Sequence, residues 1–207
     1  MRYRAALFRY AFWAGTVLVA ASPVSAETTV PPGTGVRPPA VSEPNHQVEA
    51  RLFAALKNAA DEAEGRAAES AIWHHWMAAA PDLATRQLLE RAMERRQSYD
   101  FAGAHSLLDQ AIAAAPDYAE AWNQRGFVRF LQDDLDGALA DVDQAIALEP
   151  KHFAAMSGRA IILMRQGRFG LAQSQLRAAV AIHPFLKERG MIAPVAPAVP
   201  APAGIDL

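Results

Sequence analysis

Apolar residues recur three and four positions apart through most of residues 47–184, and no alternating run is long enough to read as a strand. Leu52, Phe53, Leu56 and Ala60 form one helical stripe, and Ile72, Trp73, Trp76 and Met77 form a second. Gly65 is expected to separate these stripes and Pro81 to close the second, which predicts an antiparallel helix pair over 47–82. From Thr85 onward the pattern itself repeats. Pro116, Pro150 and Pro184 lie 34 residues apart, as do Ala104, Ala138 and Ala172, and Ala111, Ala145 and Ala179. Larger side chains keep the same beat: Phe101, Leu135 and Phe169, then Leu108, Val142 and Leu176, then Ile112, Ile146 and Val180. A period of this length marks stacked supersecondary units rather than one enzyme core.

Each block divides into two helices. In the middle block they are predicted over 119–132 and 135–148, with Asp133-Asp134 between them, since short acidic side chains cap the next helix start. The third block uses Gln166-Gly167, and glycine readily takes the left-handed conformation that ends a helix. Three blocks follow, 85–118, 119–152 and 153–186, with room in 187–193 for only a short cap. So short an array is expected to lie near its minimum stable length.

The ends read differently. Arg2, Arg4 and Arg9 precede an apolar run over 10–21, and Val24-Ser25-Ala26 fits a small-residue cleavage site. This is the pattern of a secretory signal peptide over 1–26, and the apolar run is shorter than the ~20 residues that cross a bilayer. Residues 27–46 carry five prolines and read as an extended linker. From 194 to 207 prolines recur among Ala and Val, predicting an extended tail with no surface to bury. Both tails are expected to be disordered.

The formal charge is −2, and removing 1–26 takes away three arginines and no acid, leaving 17 basic against 22 acidic residues, or −5. An acidic chain without a basic stripe is a poor nucleic-acid or anionic-membrane binder. The chain has no cysteine, so disulfides, thiolate metal sites and a lipid-modified cysteine are excluded. No Gly-x-Ser-x-Gly elbow, phosphate-cradling glycine loop or His-Glu-x-x-His pair occurs. The densest cluster is Trp73-His74-His75-Trp76. Adjacent histidines on a helix point about 100° apart, so they cannot share one ion, although His46 or His105 offers a distant second ligand. The weaker functional alternative is a metal-dependent enzyme built there. His152 and His183 flank the closing prolines and are expected to serve helix ends, and the remaining acids follow solvent-facing positions.

The blocks resemble tetratricopeptide repeats. The middle block carries the pattern best, with Trp122, Gly126, Ala138, Ala145 and Pro150 at that family's favoured positions; Leu88, Ala92, Ala104, Ala111 and Pro116 match in the first block. Met156, Ala160, Ala172, Ala179 and Pro184 match in the third. Residues 47–82 resemble the family only loosely, as a degenerate capping pair. The fold this implies is an all-α solenoid of antiparallel helix pairs, in which small residues let helices approach to about 8 Å and Trp122, Phe101, Phe169 and Leu176 fill the gaps. One departure stands out: the seventh position, often Leu in the family, holds Arg91, Arg125 and Arg159. Asp109 and Asp143 are expected to pair with such arginines, and Arg177 at the corresponding third place requires the pairing to change there.

In the family the first helix of each pair lines a concave groove. Carried onto this chain, that implies a partner-binding surface of Leu89, Met93, Arg96, Asn123, Phe127, Phe130, Ser157, Ile161, Met164 and Arg165. An apolar floor with arginines at its rim suits a protein or peptide, without cofactor or metal. A Lys/Asn clamp for a terminal carboxylate is absent, because Leu89, Met93, Gln124, Ala154 and Gly158 hold those places. The resemblance implies an exported, non-enzymatic adaptor of the bacterial periplasm, with a self-associating structural subunit of the envelope as the alternative.

Overall fold

The computed structural model describes residues 45–194, and every regular element among them is helical. The predicted signal segment, the linker up to residue 44 and the tail from 195 lie outside the described residues. The chain divides into two compact units, up to Ala79 and from Ala80. No helix among the described residues is long and apolar enough to cross a membrane.

In the first unit α1 (Asn45–Asn58) pairs with α2 (Glu62–Ala78). Helix α1 begins inside the span assigned to the linker. Gly65 does not separate the pair: it is buried in the first turn of α2. The break falls at 59–61, where the Asp61 carboxylate accepts the N–H groups of Ala63 and Glu64 at 2.8 and 2.9 Å. Strong capping by Asp61 thus overrides glycine as the punctuation mark. Ala68, Ile72, Trp76 and Met77 form the buried stripe of α2, Leu56 is buried on α1, and Phe53 lies 6.3 Å from the Trp76 ring.

The second unit holds three pairs: α3 (Leu83–Gln97) with α4 (Phe101–Ala114), α5 (Ala119–Leu131) with α6 (Leu135–Leu148), and α7 (Phe153–Arg165) with α8 (Phe169–Ile182). A 3-10 turn over Lys187–Met191 follows and packs on α8. The periodic alanines are its seams: Ala104, Ala111, Ala138, Ala145, Ala172 and Ala179 are all 0% exposed. At Gly126 the helices come closer still, since a Cβ there would stand 2.9 Å from Val142 Cγ1. Phe169 is the exception to the expected filling. It is 65% exposed, and among the described residues no helix pair after α8 covers it.

The tight turns repeat as well. Tyr99, Asp133 and Gly167 all have positive φ, of 63°, 65° and 75°. Asp100 and Asp134 then cap α4 and α6 by accepting the amides of Gly103 and Gly137.

Candidate functional site

Besides packing on its own partner, α3 meets α5 and α5 meets α7, which makes the first helices the inner side of the second unit. Of the residues expected to line it, Leu89, Asn123, Phe127, Phe130 and Ser157 are buried, and Arg96 is 8% exposed. Met93, Ile161 and Met164 are half-buried and Arg165 is exposed. The surface left open is therefore narrower than the sequence suggested. Phe127 and Phe130 are wall, not floor: the Arg96 guanidinium lies 4.8 Å over the Phe127 ring, and that of Arg165 lies 5.4 Å over Phe130.

A buried polar chain links these helices. Glu120, in the first turn of α5, is 1% exposed, as is His152. The Glu120 carboxylate accepts from His152 Nε2 at 2.9 Å, Asn123 Nδ2 at 3.2 Å and Gln124 Nε2 at 2.6 Å. Arg96 Nη1 donates in turn to Gln124 Oε1 at 2.5 Å. His152 also caps α7, its Nδ1 accepting the Ala155 N–H at 3.3 Å, which leaves the ring proton on Nε2 for Glu120. It thus serves a helix start, not a helix end. Burial pushes Arg96 down to about 10 against the opposing pull of Glu120, and burial raises Tyr118 above the ordinary phenol range, with Glu120 adding to the effect. These groups are turned toward one another, so the chain braces three helices. The acids do not all face solvent as expected; Glu120, Asp141 and Glu188 are buried. A buried Ser157 Oγ finds no hydrogen-bond partner among the described residues.

Two of the seventh-position arginines, Arg125 and Arg159, stitch the pairs together. Arg125 donates to Asp141 from Nε at 2.9 Å and Nη2 at 2.7 Å, and from Nη1 to Asp109 of the preceding pair at 2.8 Å. Hydrogen bonding to Asp141 raises the Arg125 pKa. Arg159 repeats the arrangement, reaching back to Asp143 at 2.5 Å and forward to Gln175 at 3.2 Å. Arg129 adds Asp141 at 3.2 Å and the His105 ring at 3.2 Å. Arg91 is exposed. Trp122 is half-buried, lies 4.8 Å beneath the Arg125 guanidinium and donates its N–H to Pro116 O at 2.9 Å.

In the first unit, exposed His74 directs Nδ1 to Ser70 O at 2.7 Å, and half-buried Trp73 meets its ring edge-on at 5.1 Å. Among the described residues no three metal-ligating side chains gather. His105, one suggested distant ligand, is engaged by Asp109 at 3.1 Å.

This architecture can be set beside known proteins. The tetratricopeptide-repeat family model matches residues 89–144 and 132–186, together just under half of the chain. No curated protein matches it. Among solved structures it is similar to the TPR2B domain of yeast Sti1 in its pHsp70 complex, with a TM-score of 0.51 and 18% identity over 54% of this chain and 91% of that one. It is also similar to the first TPR of Spaghetti (RPAP3) bound to the HSP90 peptide SRMEEVD (TM-score 0.48, 17% identity, 49% and 80% covered). A third is MamA MSR-1 C2, with a TM-score of 0.44 and 17% identity over 68% and 77% of the two chains. Residues 89–186 thus carry tetratricopeptide repeats, matched by the family model and by helical fold.

Proposed function

We propose that this chain is an exported, non-enzymatic adaptor of the bacterial periplasm that holds a protein or peptide partner on its inner wall. The observation that carries this is that Met93 on α3 and Ile161 and Met164 on α7 are only half-buried, with Arg165 exposed. Apolar side chains left partly open on this wall favour a ligand that brings apolar surface, and Arg165, paired with Asp133 at 2.6 Å, has further N–H groups to donate. The Sti1 domain with a similar fold was solved with a bound partner. The partner here is not held by a terminal-carboxylate clamp, since Leu89, Met93 and Ala154 cannot supply one. Export rests on the basic and apolar start of the chain and predicts a mature protein beginning at Glu27, to be read by intact mass.

Site-specific photocrosslinking tests the wall directly. A crosslinker at Met164 should yield an adduct with a defined second protein, whereas one at exposed Ser174 on α8 should not. Equal adducts from both positions would refute an inner-wall site. An adduct of twice the protomer mass would replace the adaptor with the self-associating subunit.

A further inference from the structure

The 34-residue frame continues past the third pair and then breaks. Counted on from Phe153, the start of α7, a fourth first helix would begin at residue 187, and the 3-10 turn does begin at Lys187. Pro194 falls where α7 has Ala160, in mid-helix. Proline denies the helix an N–H there and drives the residue before it toward extended backbone. Ile192 is already extended, at φ −72° and ψ 116°.

What the chain does next is specific. Gln173 Nε2 donates to Met191 O at 2.9 Å, and Gln173 Oε1 accepts the Ala193 N–H at 2.7 Å. One turn along α8, Arg177 Nη2 donates to Ala193 O at 2.9 Å. All three bonds go to main chain on either side of extended Ile192, so they read backbone whatever its side chains. The interior pairs use the same place otherwise. Asp109 and Asp143 stand where Arg177 stands, and each takes the arginine sixteen residues on, Arg125 or Arg159. Residue 193 occupies that arginine's slot in the frame, also sixteen residues on. Arg177 would repel a guanidinium there and instead accommodates a carbonyl.

We infer that the face of α8 carrying Gln173 and Arg177 is a binding site for extended polypeptide backbone. The chain's own residues 191–193 fill it, and this strap closes the array against a further helix pair. Phe169, one turn before Gln173 on the same face of α8, is 65% exposed, and Met191 of the strap 43%, leaving apolar surface beside it.

Amide hydrogen exchange on the full-length chain tests the strap. In the wild type the Ala193 amide should exchange about fivefold slower than a free peptide, one hydrogen bond's worth. Gln173→Ala should abolish that protection, while the Leu176 and Ala179 amides of α8 keep theirs. Gln173→Glu, which retains an acceptor for the Ala193 N–H, should preserve it. Free-peptide exchange at Ala193 in the wild type, or equal loss in both variants, overturns the inference. Protection that grows with protein concentration, together with a dimer mass by light scattering, overturns it in favour of a second copy as occupant.

Discussion

The second and third helix pairs share one frame and differ in what stands at its charged positions. In α6 the cap is Asp134, and a Cβ on Gly137 would run into its carboxylate. In α8 the same two places hold Arg168 and Leu171, and no side chain caps the helix. Asp141 and Asp143 of α6 become Gln175 and Arg177. Leu135 is half-buried, whereas Phe169 is largely exposed. The lesson is that the seams of small residues are common to both pairs, while the charges tell an interior pair from a terminal one. A pair meant to be followed presents carboxylates to the next pair's arginine.

The sharpest way to break this comparison is Asp141→Ala set against Gln175→Ala. Asp141 is 2% exposed and accepts from both Arg125 and Arg129. Its loss takes a buried carboxylate from two largely buried guanidinium groups, although Arg125 keeps Asp109 and Arg129 keeps the Gly137 carbonyl. The expected cost is about 3 kcal/mol, the low end for breaking a buried ion pair. Gln175 offers Arg159 one neutral acceptor, so its truncation should cost about 1 kcal/mol or less. Urea denaturation measures both, and equal costs would erase the distinction.

Overpacking probes the seams themselves. Ala138 and Ala172 are equivalent and both fully buried. Ala138 faces Gly126, whose missing Cβ would stand 3.2 Å from the Ala138 carbonyl; the third pair has Ala160 at the place of Gly126. The second hairpin is therefore expected to have less slack. Ala138→Leu should cost about 3 kcal/mol and Ala172→Leu about 1 kcal/mol, the two ends of the overpacking range. Denaturation midpoints in the opposite order would show that α5 and α6 are not the tighter pair.

Most of the fold was legible because periodicity survives without context. The alanine seams, the closing prolines, the turns at Asp133 and Gly167 and the Arg125–Asp109 and Arg159–Asp143 pairs all follow from one 34-residue beat. The first-unit break was misplaced because glycine alone is a weaker signal than Asp61 capping two amides. The inner wall was read too open. Sequence gives the direction of a side chain on its own helix, but the burial of Phe127, Asn123 and Phe130 depends on how near α3 and α7 come. The Glu120–His152 pair was missed because neither residue recurs in the frame. Its separation of 32 residues, shared by Asp133 and Arg165, is the cross-pair spacing that would have found it.

The turns offer a smaller contrast between the first pair and the third. Tyr99 and Gly167 occupy the same left-handed position, at φ 63° and 75°. Gly167→Ala should cost about 1 kcal/mol by adding a Cβ where the conformation disfavours one. Tyr99→Gly should gain only about 0.5 kcal/mol, since relief of the strain is offset by greater freedom of the unfolded chain. The edge-on contact of Tyr99 with Phe101, at 6.0 Å, is lost as well. A Tyr99→Gly variant that melts lower than wild type would show that this contact outweighs the backbone strain.

The gentlest test lowers pH and asks which helix starts loosen first. Asp82 and Asp100 are held below the ordinary 3.8 mainly by the backbone N–H groups of Thr85 and Gly103, with Arg95 also acting on Asp100. A carboxyl whose folded value is depressed contributes fully above its unfolded value, and the contribution disappears as pH falls through the lower folded one. Asp82 is exposed and Asp100 only half-buried, so the change should be local to the first turns of α3 and α4 rather than global. Helix α8 has no carboxylate cap to lose. Going from about pH 5 to about pH 3 should therefore speed exchange at the Thr85 and Gly103 amides, after correction for the intrinsic rate, and leave Leu171 unchanged. An equal rise at Leu171, which stands in the place of Gly103 two pairs on, would mean that acid opens the array as a whole and that its last pair is no different in kind from its first.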